Sequence, residues 1–439
     1  MAADERSRGG LTPVVLALVF ALAAAADARA GTSIIPIPEI ITDPNEGNTF
    51  GLMGVVLFTN DKDEIQYMLA PDVQYNKTKG TFPSFRFFGY PTPTRRYSIV
   101  IGKSTTKDQD YEFEYADRGL MEGRAFFLAK AVYEWDSTER FFGLGNDSHE
   151  NPVLRRRRGG YDPTCVPPGA TDPVPDGAHP STFCQTGGES NYTSDDLDIR
   201  MTPGYWLLPS LQASYRMQIK RFSISHGQVS GVPFIGDLHP DVPGLDTGFY
   251  WAHQFALTFD TRDSIDIPTH GAYANLYTEL ADRRLGSSTS FVKFGGEWKD
   301  FIPFRRTNNP TLALHAIADW LSGDRDTPFW EQSSLGGHRV LRGFGGDRFI
   351  DFNRSLMGAE LRTRVYERHL FGVNLEVELA PFVEAGEVFR HLSDSPVDDL
   401  HWVGGLGFRG VVRPQIVGFV DIGRGSEGTS VFTGIDYPF

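Results

Sequence analysis

"SLMGAELRTRVY", residues 355–366, decides the fold. Met357, Ala359, Leu361, Thr363 and Val365 fall on one side of an extended chain, and Glu360, Arg362, Arg364 and Tyr366 on the other. A period of two is the period of a strand, not of a helix. "GVNLEVELA" (372–380) repeats the pattern, with Val373, Leu375, Val377 and Leu379 opposed to Asn374, Glu376 and Glu378. A half-buried sheet of a soluble protein alternates in the same way. Number and length separate the two cases. From Thr49 onward about sixteen or seventeen segments of roughly ten residues recur between turn residues, with no helical period among them, which is the signature of a transmembrane barrel. An even strand number is expected for a single-chain bacterial barrel. The sequence therefore predicts an all-β, 16-stranded antiparallel transmembrane β-barrel over residues 49–439, with one segment between residues 64 and 118 merged or miscounted. The 33 Phe, 16 Tyr and 47 Gly suit strands joined by tight turns.

The N-terminus reads as an export signal, residues 1–30: Arg6 and Arg8, an apolar run from Val14 to Ala26, then Ala28-Arg29-Ala30 as a small-x-small cleavage site. A buried N-terminal helix is the alternative. Residues 31–48, "GTSIIPIPEIITDPNEGN", are punctuated by proline and are expected to form neither a regular strand nor a domain. The formal charge of −14 argues against nucleic acid as a partner. Residues 136–200 interrupt the alternation with Pro, Gly and the run Arg155–Arg158, and read as one long external loop. The basic run fits a solvated loop, or contact with lipopolysaccharide phosphates. Two further long loops span about Val229–Gly248 and residues 323–354. No His or Cys lies at ligand spacing beside Cys165 and Cys184, so no metal site is expected there, and nothing calls for a cofactor.

The last residues, "VFTGIDYPF" (431–439), place Val431, Thr433, Ile435, Tyr437 and Phe439 on one face, expected to meet lipid. In the third long loop, "LGGHRVLRGF" (335–344) precedes "GGDRF". With "GAELRTRV", "PFVEAGEVF" and "LTFDTRDSIDIPTHG", these stretches resemble the ordered motifs of the bacterial surface antigen family, the BamA/TamA-type outer-membrane barrels. The likeness is strong over about residues 250–439 and weaker over 49–228. It implies a sixth external loop folded back into the lumen. It also implies that Arg342, Gly343 and Phe344 of the motif anchor the loop, with Arg342 paired to Glu360 and Glu384 on the inner wall. Glu384 stands where the family carries Asp. Gly434, Tyr437 and Phe439 match the terminal signal read by the barrel assembly machinery, although Phe432 replaces its usual polar residue. No POTRA-like βααββ pattern precedes the first strand.

By resemblance the chain is a bacterial outer-membrane protein, a translocation or membrane-insertion pore gated by an internal loop and acting on an unidentified client. Outer-membrane lipid and lipopolysaccharide are its expected surroundings. A structural or surface-antigen barrel without transport is the alternative. Catalysis is not expected, since neither G-x-S-x-G nor H-E-x-x-H occurs.

Cys165 and Cys184 share one loop of an exported chain, which predicts a disulfide. Closing a span of about 20 residues confers about 3 kcal/mol on the loop in the chain-entropy model. Mass spectrometry of unreduced peptides from envelope-purified protein should find the two cysteines linked; free thiols would refute the pairing.

Overall fold

The structure is a computed structural model and describes residues 32–43, 45, 47–60, 65–148, 188–304, 308–324, 326–370, 373–391, 399–413, 416–435 and 437–439. The signal segment, Arg155–Arg158 and both cysteines lie outside the described residues. The strands are β1 (Thr32–Asp43), β2 (Gly47–Thr59), β3 (Ile65–Asn76), β4 (Gly80–Thr92), β5 (Arg95–Lys103), β6 (Gln109–Gly119) and β7 (Ala125–Phe141). They continue with β8 (Ser190–Leu208), β9 (Leu211–His226), β10 (Gly248–Asp260), β11 (Gly271–Ala281), β12 (Phe291–Pro303) and β13 (Thr311–Gly323). A short ribbon of β14 (Ser333–Leu335) and β15 (Phe349–Asp351) precedes β16 (Asn353–Leu370), β17 (Val373–Phe389), β18 (His401–Val412), β19 (Ile416–Arg424) and β20 (Thr429–Ile435). All but the ribbon belong to one 18-stranded sheet, which closes where β1 meets both β2 and β20. No helix among the described residues is long and apolar enough to cross a membrane; a barrel crosses with strands.

The barrel thus has 18 strands, not 16. The stretch 64–118 holds four separate strands, so no segment there is merged. Evenness is restored by a strand gained, β1, inside the proline-punctuated segment. Prolines at alternate positions explain why it forms. Residues two apart in an antiparallel strand point their backbone groups at the same neighbour. Pro36 and Pro38 therefore remove donors from one edge alone. β1 pairs with β2 without a break from Thr32–Phe58 to Asp43–Gly47. With β20 it shares one register pair, Thr42–Val431, so the blocked edge is the one facing the seam. The added strand also makes the motif-bearing connection the seventh on its side, not the sixth.

The long connections β7–β8, β9–β10 and β13–β16 leave from one end, which is the external end by the usual asymmetry of such barrels. β7 and β8 run further than the sequence indicated, so the first long loop narrows to 142–189. Side chains sort by face. Met357 is 58 % exposed on the outer wall, whereas Glu360 is fully buried within. A register shift between Arg364 and Tyr366 breaks the alternation and turns Tyr366 outward, against its assignment to the polar face. Near the C-terminus, Ile435 packs against an inner apolar cluster built on Met53, Val55, Leu57 and Met68. Tyr437 packs with Ile267, Val411 and Val417, and Phe439 with Phe301 and Ala313. Ile435, the last residue of β20, is drawn to the Met53 cluster and the chain turns inward beyond it, so these three residues do not share the lipid face.

β1 is integral to closure, so deleting residues 32–43 should abolish the folded, heat-modifiable band on gels. Pro36→Thr with Pro38→Thr returns two donors to the seam edge. At about 0.5–1.5 kcal/mol for each net hydrogen bond made, the double variant should need a higher temperature to convert to the unfolded band. An unchanged or lower conversion temperature would refute the assignment of the blocked edge.

Candidate functional site: a buried arginine network under the inward-folded loop

The β13–β16 connection enters the lumen. Its apolar residues Leu335, Leu341, Phe344 and Phe349 pack with Leu356, Phe382, Val388 and Val403 of the wall. Leu341 takes a left-handed backbone (φ 50°), and its carbonyl accepts the N–H groups of Gly343 (2.7 Å) and Phe344 (3.0 Å). A non-glycine residue in that region costs about 1–3 kcal/mol. The tight turn it makes aims Arg342 at the wall. Gly343 is needed for a different reason from the flexibility expected of a glycine. A Cβ there would lie 2.6 Å from the Gly425 amide nitrogen and 2.9 Å from the Arg424 carbonyl carbon. The loop backbone presses directly on the β19–β20 connection, and a Cβ on Gly423 would lie 2.2 Å from the Arg342 carbonyl oxygen.

Arg342 is fully buried. Its backbone N–H donates to Glu384 Oε2 and its Nε to Glu384 Oε1, both at 2.8 Å. Its Nη1 donates to Glu360 Oε2 and Asp421 Oδ2, also at 2.8 Å. Burial alone would pull the Arg342 guanidinium down; Glu384, Glu360 and Asp421 outweigh it and hold the group above its ordinary value. Two wall arginines complete the network. Arg409 donates to Asp421 Oδ1 (2.5 Å) and Glu360 Oε2 (3.0 Å), and Arg362 Nε to Glu360 Oε1 (3.0 Å). Each guanidinium also faces a ring: Arg342 over Phe382 at 3.7 Å, Arg362 over Tyr437 at 3.8 Å and Arg409 over Phe419 at 5.6 Å. Cation–π contact supports the guanidinium nitrogens that have no protein acceptor, Arg342 Nη2, Arg362 Nη1 and Arg409 Nε.

The structure brings together Arg342, Glu360 and Glu384, with Gly343 and Phe344 packed beside them. Phe439 approaches as well, its ring 5.8 Å from the Arg342 guanidinium. Gly434 stays in β20, paired with Phe419. Sequence reading missed Arg409 and Asp421. The signal was present: Arg409 is the lone charge of the apolar, glycine-rich stretch "WVGGLGFRGVV", and Asp421 the lone carboxylate of "IVGFVDIGR". A second buried loop arginine, Arg348, pairs with Glu427 and donates to the Ser148 carbonyl at 2.6 Å, tying the loop to the external mouth.

Three arginines and three carboxylates leave this network neutral, which is the condition for burying it. Asp421→Asn should unbalance it by one positive charge. A broken buried pair costs about 3–5 kcal/mol, so the variant should convert to its unfolded band at a clearly lower temperature, while Asp421→Glu should retain part of the stability. Equal conversion temperatures for wild type and Asp421→Asn would refute the network's contribution.

No curated protein matches the sequence. Solved structures similar to this chain include BamA from Haemophilus ducreyi lacking POTRA domains 1–3, at TM-score 0.49 and 11 % identity, covering 99 % of this chain and 79 % of that one. CdiB from Acinetobacter baumannii is similar at TM-score 0.45 and 8 % identity over 93 % of this chain and 60 % of that one. Wzi, a carbohydrate-binding β-barrel involved in group 1 capsule assembly in Escherichia coli, is similar at TM-score 0.35 and 9 % identity, over 99 % and 90 %. Residues 181–401, half of the chain, match the Omp85 superfamily domain. The chain belongs to the Omp85 superfamily and is an outer-membrane β-barrel of the BamA/TamA type.

Proposed function

We propose that this barrel is a translocation or membrane-insertion pore gated by its inward-folded loop. The observation that carries the reading is the fully buried Arg342, which a mobile type of element, a loop, delivers to carboxylates on three different strands. Barrels of 16–18 strands are wide enough for an aqueous channel. A loop held in such a lumen by ion pairs can be released without breaking a covalent bond. In this reading Arg342, Gly343 and Phe344 are the anchor, and Glu360 and Glu384 its receptors, with Asp421 added. The client is unidentified. Membrane lipid and lipopolysaccharide surround the barrel, and the thinly paired β1–β20 seam offers a lateral route to them. Gly434, Tyr437 and Phe439 act as the assembly signal before the barrel closes. The Cys165–Cys184 disulfide stabilises the first long external loop.

Arg342→Ala should leave an assembled barrel with a loosened loop. Protease should cut within residues 336–348, and, whenever the inner end of the lumen is open as well, conductance in planar bilayers should rise several-fold over wild type. Arg342→Lys should restore the closed state only in part, because a single ammonium cannot replace Nε at Glu384 while also replacing Nη1 at Glu360 and Asp421. Wild-type conductance and protease resistance in Arg342→Ala would refute loop gating and favour a structural barrel without transport.

A further inference from the structure

The inner end of the lumen carries a closure of its own. Most connections at that end are short, from two residues between β8 and β9 to seven between β12 and β13. The β10–β11 connection, Thr261–His270, is ten residues long. Its base is stapled: Asp263 accepts from the Thr269 hydroxyl (2.6 Å) and from the backbone N–H groups of Thr269 (2.9 Å) and His270 (3.2 Å). Gly271, at φ +95°, lets the chain re-enter the wall, where a Cβ would lie 2.2 Å from the Thr261 carbonyl oxygen.

The tip goes where a solvated turn would not. Ile267 is 2 % exposed and packs with Val411 and Val417 at the inner ends of β18 and β19. On the other side, Asp266 pairs with Arg96 of β5 at 3.2 Å. Along the sheet, β5 lies five strands before β10, and β18 lies five barrel strands after β11. The turn therefore touches two walls far from its own. Tyr437 packs onto the same apolar contact, donates its hydroxyl to Glu378 at 2.7 Å, and lies under Arg362 of the arginine network.

We propose that the β10–β11 turn is a lid over the periplasmic mouth, latched by Ile267, so that the lumen is closed independently at both ends. The Asp266–Arg96 pair is half-exposed and adds little; the buried isoleucine is the latch. A permeant client would have to displace Ile267 as well as Arg342. This deepens the gated-pore reading and rests on it for the lid's purpose, while the closure itself is tested separately.

The test uses the full-length barrel purified from membranes, with Cys165→Ser and Cys184→Ser, and with Gln254→Cys as a reporter in the lumen wall. Ile267→Asp should speed labelling of that cysteine by a charged thiol reagent by about tenfold or more, the shift expected when a closing equilibrium loses one buried isoleucine. Equal labelling rates in two folded, heat-modifiable barrels would overturn the lid. A second arm, which stands by itself if Ile267→Asp fails to fold, uses Ile267→Cys with Val417→Cys, without the Gln254 reporter, bridged by a short reducible bis-thiol linker in the Arg342→Ala background. Conductance should then stay at the wild-type level while bridged and rise on reduction. High conductance while bridged would overturn the lid; low conductance before and after reduction, together with fast labelling in Ile267→Asp, would retain the lid and reject loop gating.

Discussion

The rest of the structure depends on a charge balance inside the barrel. Arg342, Arg362 and Arg409 face Glu360, Glu384 and Asp421, with every one of the six nearly or fully buried. Any one of these charges alone would be costly in such a place, and a pair only breaks even when its geometry is good and its remaining donors are satisfied. Here two of the carboxylates are shared, Glu360 by three guanidinium groups and Asp421 by two, while Glu384 is given to Arg342 alone. The network is complete only when the loop delivers Arg342. Without it, three carboxylates would face two arginines. The inward position of the loop is thus a consequence of the wall's own charges, reinforced by the apolar residues that arrive with it.

A wall of 18 strands would by itself leave a wide lumen. The chain fills it from both ends. At the external end, Ile235 of the β9–β10 connection packs with Phe141, Tyr192, Phe222, Phe329 and Ile350. The Trp330 indole N–H donates to the Gly244 carbonyl at 3.1 Å, joining that connection to the motif-bearing loop. At the inner end, Ile267, Tyr437 and Phe439 and the cluster around Leu57 occupy the mouth. Between them lies a polar cavity of about 190 Å³, lined by Arg216, Lys220, Glu279 and Glu331 among others.

What the sequence discloses follows from what each residue answers to. Alternation in "SLMGAELRTRVY" is imposed by the wall itself, lipid on one side and lumen on the other, so faces are legible wherever the register is unbroken. Tyr366 is misread because a bulge is a local register shift with no residue signature of its own. β1 is hidden because proline marks a lost donor without saying which neighbour loses it; only pairing with β2 reveals that one edge was untouched. Gly343 looks like a flexible hinge, whereas the structure uses its missing side chain to let two backbones touch. Arg409 and Asp421 are conspicuous in otherwise apolar stretches, yet their meeting depends on the register of β18 against β19 and on where a loop from elsewhere comes to rest. Tyr437 and Phe439 continue an outward pattern on paper and break it because the strand ends first.

The anchor and the seam lie on the same side of the barrel, and this determines what holds the seam shut. The arginine network grips β16, β17, β18 and β19 and touches neither β1 nor β2. The N-terminal wall is joined to that rigid block by other means. At its external end, Asn45 in the β1–β2 turn donates to the Gly346 carbonyl of the loop at 2.8 Å, close to the lone register pair of Thr42 and Val431. Toward the periplasm the prolines forbid a continuous ladder on this edge, and Ile35 and Ile37 instead pack inward, in the cluster that also takes Leu375, Val412 and Ile435 from the far side of the seam. Hydrogen bonds are directional and fail together when a register slips, whereas apolar contact of this kind tolerates sliding. Closure of the barrel therefore rests on the loop at one end and on side-chain packing at the other, and displacing the loop removes the firmer of the two.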